Sequence, residues 1–223
     1  MSIVLFEAMA YSLSRKCRMS KKSDVSPRKQ PTQERARTTV EAVLAAAAQI
    51  LETTGFDKTT TNKIAEKAGI SIGSLYQYFP NKESLASAMS EAIVKKHASR
   101  VEKKISDLRG QSIDSLLGAL ITEVVSLYLG NIKMLRIIAK LLPRVNLIPY
   151  VVETRKRIVQ LIAGELLSRK DEIRLIDTQL ASYVIVNAVM GVFMMIMSDE
   201  STNFDQGELT AEILHMTKKY LER

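Results

Sequence analysis

The stretch "GFDKTTTNKIAEKAGISIGSLYQYFPNKESL", residues 55–85, sets two short helical patterns between glycine and proline breakers. Thr60 is placed to cap the first, which carries Ile64, Ala65 and Ala68. Gly69 supplies a sharp turn, and Ser71 caps the second, in which Leu75 and Phe79 share a face at a spacing of four. Pro80 stops it, and Asn81-Lys82-Glu83 opens a longer helix. Ile64, Ala65, Ile70, Leu75 and Phe79 are then the fill of a small core, with Ala65 small because the helices cross there. Ile72, Gly73, Ser74, Tyr76, Gln77 and Tyr78 are left facing outward. Two short helices joined by a glycine turn and propped by a preceding helix make a helix-turn-helix, whose second helix enters the DNA major groove.

Working outward, Val40, Val43, Leu44, Ala47, Ile50 and Leu51 follow the spacing of one buried helical face that ends at Gly55. Downstream, the pattern predicts helices from Lys82 to about Leu108, Ile113 to Leu129, Ile132 to Leu142, Tyr150 to about Arg169, Thr178 to Met197 and Glu208 to Leu221. No alternating strand pattern and no internal repeat is present. The fold class is therefore all-α with about nine helices, a compact N-terminal three-helix domain followed by a larger helical one.

Composition agrees. The 223 residues are 46% apolar and 25% charged, with nine Gly and five Pro, the balance of a globular helical protein. A single cysteine, Cys17, excludes an intramolecular disulfide and suits a reducing cytoplasm. The formal net charge of +8 is uneven. Arg15 to Arg37 holds nine Lys/Arg against two acids, whereas Thr38 to Leu85 holds four against five. That basic arm, expected to be disordered, suits attraction to phosphate as well as it suits a solubilising tail. The apolar start "IVLFEAMAYSL" is a poor signal peptide, and Met19 reads as a natural start. Leu180 to Met197 barely reaches membrane-spanning length. It is assigned to a core or subunit interface, because no second candidate span accompanies it.

The stretch from Gly55 to Leu85, with the helix before it, resembles the DNA-binding domain of the TetR family of repressors. The resemblance rests on the Gly-aromatic pair, a Thr pair, Ile-Ala, Ala-Gly, Leu-Tyr-x-Tyr-Phe and Asn-Lys-Glu-x-Leu, and spans about a quarter of the chain. Thr61 departs from it, standing where the family often has an apolar residue. The resemblance implies that Tyr76 and Tyr78 offer hydroxyls to phosphate and that Lys82 meets a phosphate at a helix start. It also implies that Thr60 and Thr61 cap and touch backbone. Asn62, Ile72, Gly73, Ser74 and Gln77, beside the cap Ser71, would read bases; Asn62 and Gln77 can pair bidentately with adenine. Read without the resemblance, the tyrosines could equally pack on neighbouring helices with their hydroxyls in water.

The resemblance further implies a homodimer through the last two helices, a double-stranded operator and a ligand cavity in the middle helices. The apolar helix from Ser182 to Met197 fits either that interface or the centre of a monomer. His97, Tyr128, Met134, Arg136, Tyr150, Tyr183, Asn187, Met190 and Met194 are the polar or pliable residues available to the cavity. They suit an apolar or amphipathic small molecule, although methionines fill cores as readily. His97 and His215 have no metal-ligand spacing, and no phosphate loop or nucleophile motif occurs, so no enzyme, metal or cofactor is expected. The expected organisation is an arm over 1–34, a DNA-binding domain over 35–95 with its motif at 60–79, and a ligand-binding and dimerisation domain over 96–223.

Overall fold

A computed structural model describes residues 34–222, apart from the side chain of Arg35. The expectations for the arm ahead of residue 34, and for Met19 as a start, lie outside the described residues. Nine α-helices and no strand occur among the described residues. They are α1 (Glu34–Thr54), α2 (Thr61–Lys67), α3 (Ile72–Tyr78), α4 (Lys82–Asp107), α5 (Ile113–Gly130), α6 (Ile132–Leu141), α7 (Ile148–Ser168), α8 (Thr178–Ser198) and α9 (Gln206–Leu221).

Helix boundaries follow local chemistry. Gly55, in the left-handed region at φ 73, ends α1, and its N–H bonds back to Leu51 O at 2.9 Å. Gly69, at φ 69, makes the turn between α2 and α3. Three helices start earlier than the sequence pattern predicts. α1 begins at Glu34 rather than near Val40, since Glu34, Ala36 and Arg37 are good helix formers without apolar pattern. α7 begins at Ile148 and takes Pro149 into its first turn, where a missing N–H costs nothing. α9 begins at Gln206 because Asp205 caps it, accepting from the N–H groups of Gly207 and Glu208.

The described chain separates into two compact units. One runs up to Ile93 and takes in Arg136–Pro149; the other holds Val94–Leu135 and Tyr150 onward. In the first, Val43, Ala47 and Leu51 of α1 are buried, as are Ile64 and Ala65 of α2, Leu75 and Phe79, and Leu85 and Met89 of α4. In the second, α5, α7, α8 and α9 enclose Leu117, Ile121, Val125, Leu166, Ile185, Phe193 and Ile213. There the buried guanidinium of Arg169 pairs with Glu165 at 2.6 Å. It also donates to the carbonyls of Gln111 at 2.7 Å and Leu108 at 3.0 Å, so its charge and N–H groups are met.

Two described helices, α5 and α8, are long and apolar enough to cross a membrane by length and composition. The apolar stretch of α8 is therefore accompanied by a second candidate span, α5, contrary to the expectation that it stands alone. What places α8 in a protein interior is packing: Ala181, Ser182, Ile185, Val186, Phe193, Ile196 and Met197 are buried.

Candidate nucleic-acid interface

The short helix α3 is fixed at both ends and on one side. Ser71 Oγ accepts from Ser74 N at 3.1 Å, and the two serine hydroxyls lie 2.9 Å apart. Phe79 N bonds to Leu75 O at 2.9 Å before Pro80 ends the helix. Leu75 and Phe79 are 0% and 2% exposed, so α3 is pinned by its inner face. The outer face then carries Ile72 at 37% and Tyr76 at 42% exposure, with Gly73 and Gln77 also exposed. Ser74 and Tyr78 are half-buried, and the Tyr78 ring lies 6.5 Å from that of Phe79. Gly73 has open space around the place of a Cβ, with only Ser71 Oγ near at 3.8 Å.

Helix α2 adds Asn62, exposed, and its cap Thr60, whose hydroxyl accepts from Lys63 N at 3.4 Å. Thr61 turns out to be neither buried packing nor a free surface hydroxyl. Its Oγ1 lies 3.0 Å from the Tyr76 hydroxyl, tying α2 to the middle of α3. The start of α4 is a reciprocal cap: Asn81 Oδ1 accepts from Ser84 N at 2.7 Å, and Ser84 Oγ accepts from Asn81 N at 3.3 Å. One residue on, Lys82 places its ammonium 4.3 Å from the centre of the Phe56 ring and donates to Phe56 O at 3.0 Å. Phe56 is a participant that periodicity could not find, since its only sequence signal was to follow Gly55.

No side chain of α3 is charged, so its face offers hydroxyls, an amide, one apolar contact and a helix terminus. Such a surface can donate to phosphate through Tyr76 and Tyr78 and read an adenine edge through Gln77.

The expected ligand residues are spread more widely. Tyr128 and Met190 do meet: the phenol donates to the thioether at 3.2 Å, and its ring stacks on Phe193 with centroids 4.2 Å apart. Tyr128 as a residue is half-buried, but its hydroxyl end is desolvated, which pushes the phenol up to about 12. Met134 is buried, and Met194 is half-buried. Tyr183 is 46% exposed on α8, where its carbonyl accepts from Asn187 Nδ2 at 2.6 Å. His97 is half-buried on α4, and burial first, then Arg100 and Lys96, lower its pKa below 6.5. Tyr150 is half-buried in the same unit as these, whereas Arg136 belongs to the other unit.

Comparison with known proteins matches this arrangement. A family model described as bacterial regulatory proteins of the tetR family matches residues 43–89, and one described as the tetracyclin repressor-like C-terminal domain matches residues 112–221. The class D tetracycline repressor protein of Escherichia coli is 40% identical over 62 residues, which is 28% of this chain and 28% of that protein. The chain thus aligns with little more than a quarter of that relative's length. In overall fold it resembles the crystal structure of a regulator assigned to the TetR family from Mesorhizobium loti. That likeness has a TM-score of 0.70 at 19% identity, over 84% of this chain and 96% of the other. NalD, the secondary repressor of the MexAB-OprM multidrug efflux pump in Pseudomonas aeruginosa, gives 0.61 at 21% identity, over 85% and 98%. With the two family models together covering most of the chain, and the motif of residues 55–85 lying wholly within the first, the protein belongs to the TetR family of bacterial transcriptional regulators.

Proposed function

We propose that the protein is a repressor that binds a two-fold double-stranded DNA operator as a homodimer and is released by an apolar or amphipathic small molecule. The carrying observation is the uncharged, hydroxyl- and amide-bearing outer face of α3, held outward by the buried Leu75 and Phe79. In this reading, Asn62, Ile72, Gly73 and Gln77 face base edges. Thr60, Tyr76, Tyr78 and Lys82 set register on the phosphates, Thr61 orients the Tyr76 hydroxyl, and Ser71 and Ser74 spend their hydroxyls chiefly on the cap. Residues 35–95 serve DNA binding and 96–223 serve effector binding and pairing, in the cytoplasm.

A seven-residue recognition helix makes few contacts, so useful specificity calls for two copies. Support for pairing through α8 and α9 comes from their exposed apolar side chains, including Leu180, Tyr183, Val184, Met195 and Met216. An open apolar groove of about 110 Å³ between the two helices is lined by Val184, Ile185, Ala188, Met216, Thr217 and Tyr220. Two such helix pairs, one per subunit, would close a four-helix bundle. Release would be a population shift, the effector preferring a conformation whose two recognition helices no longer match the groove spacing.

A gel-shift titration over a range of salt concentrations, using DNA from upstream of the protein's own gene and DNA selected from a random pool, tests the reading. Binding that weakens steeply with salt is expected. Failure to bind any duplex at low salt would overturn it.

A further inference from the structure

The connector between α6 and α7 lies far downstream of the helix-turn-helix, within the stretch that the sequence assigns to effector binding. By its contacts it belongs to the N-terminal unit. Leu142, Val145 and Leu147 are buried, at 8%, 1% and 2% exposure. Asn146 takes φ 51, a left-handed conformation that asparagine tolerates, and lets the chain reverse between the two buried neighbours. Ser87 Oγ of α4 donates to Val145 O at 3.2 Å. Three buried side chains and a hydrogen bond therefore fix the backbone from which Arg144 projects.

Arg144 reaches the turn between α1 and α2. Its Nη1 donates to Asp57 Oδ1 at 3.0 Å, and its guanidinium carbon lies 5.7 Å from the centre of the Phe56 ring. Phe56 thus carries two cations, Arg144 and Lys82, and the first of them is paired with the Asp57 carboxylate. The Phe56 carbonyl is used twice as well, accepting from Lys82 Nζ at 3.0 Å and from Thr59 N at 3.2 Å. Of the three N–H donors on the Lys82 ammonium, one is committed to Phe56 and two are left for an anion.

Resting on the DNA-binding reading above, we infer that Arg144 is a positioning residue for DNA binding: it holds Phe56 and neutralises Asp57, so that Lys82 presents its ammonium to a phosphate. Two effects act together. The Asp57 carboxylate, unpaired, would compete for Lys82 and repel phosphate. The Phe56 ring, released on one side, would no longer fix the place of the ammonium. Arg144 does this without touching DNA itself.

The test measures affinity for duplex DNA selected by the wild-type protein from a random pool, by fluorescence anisotropy at several salt concentrations. Arg144→Gln should weaken binding by about three- to ten-fold across the two copies of a dimer, the scale of an exposed ion pair counted twice. The slope of affinity against salt should stay unchanged. Adding Asp57→Asn should restore most of the loss, and in a Lys82→Gln background Arg144→Gln should have little further effect. Unchanged affinity would overturn the inference. So would a loss that persists with Asp57→Asn and lowers the salt slope by about 0.9 per copy, which marks a direct phosphate contact. A lowered melting temperature with intact DNA binding would reduce Arg144 to a stabilising role and also overturn it. Arg144→Lys, which keeps the charge, should bind closer to wild type, so misfolding of the Gln variant cannot pass for support. Failure of the wild type to select any DNA would instead remove the DNA-binding reading itself.

Discussion

The proposed interface can be tested at one pair of atoms. Thr61 Oγ1 and the Tyr76 hydroxyl stand 3.0 Å apart, one on α2 and one on α3. A hydroxyl both donates and accepts, so a Thr61 proton given to Tyr76 leaves the phenol proton directed outward, where a phosphate oxygen can take it. Thr61→Val keeps the side-chain shape and removes the donor. A neutral hydrogen bond contributes about 0.5–1.5 kcal/mol net, and this exposed pair belongs in the lower part, about 0.5–1 kcal/mol. A dimer uses the pair twice, so the complex should lose about 1–2 kcal/mol, a roughly 5- to 30-fold rise in Kd. Fluorescence anisotropy with pool-selected DNA would follow wild type, Thr61→Val, Tyr76→Phe and the double variant as a cycle. Once Tyr76 is Phe there is no phenol to orient, and Thr61→Val should then cost little. Equal losses in both backgrounds, or none in either, would refute the reasoning.

Other residues give sharper separations than simple loss of binding. Ser71→Ala removes the α3 cap and should cost about 0.5–2 kcal/mol of stability, read by thermal melting. Ser71→Asp should recover that stability, because Asp caps as well as Ser, but not the DNA affinity, because it sets a carboxylate against phosphate; wild-type affinity in this variant would remove Ser71 from the interface. Val184→Glu, at the rim of the α8–α9 groove, should yield a folded monomer by light scattering at micromolar concentration, and a persisting dimer would place the seam elsewhere. His97 has its pKa held below 6.5 by burial, Arg100 and Lys96, so the unfolded chain binds the proton more readily. Stability should therefore be full above pH 6.5 and fall as the pH drops below it, a slope that His97→Gln flattens.

The readable parts of this chain were those whose cause is local. Ser71, the four-residue spacing of Leu75 and Phe79, and Pro80 define α3 within ten residues, and each acts as its chemistry dictates. Helix starts without apolar residues were less readable. Nothing in the Glu34–Thr39 run advertises a buried face, and Asp205 marks a start only to a reader looking for caps. Tyr128 and Met190 both stand out in the sequence as polar or pliable, yet only the fold brings phenol and thioether to 3.2 Å and lays Phe193 against the ring. Hardest to read was the aim of the exposed groups. Lys82 at a helix start advertises a phosphate contact, but its ammonium is placed by Phe56, 26 residues earlier, and Phe56 in turn by Arg144. The ion pair between Arg144 and Asp57 spans 87 residues, which no periodicity encodes. The division has a consequence for engineering. Transplanting residues 71–79 into a related scaffold would carry the base-facing side chains with it. It would leave behind Thr61, Phe56 and Arg144, the groups that orient Tyr76 and Lys82. A graft should therefore keep base preference and lose affinity, and adding Thr61 should restore the part of the loss that runs through Tyr76.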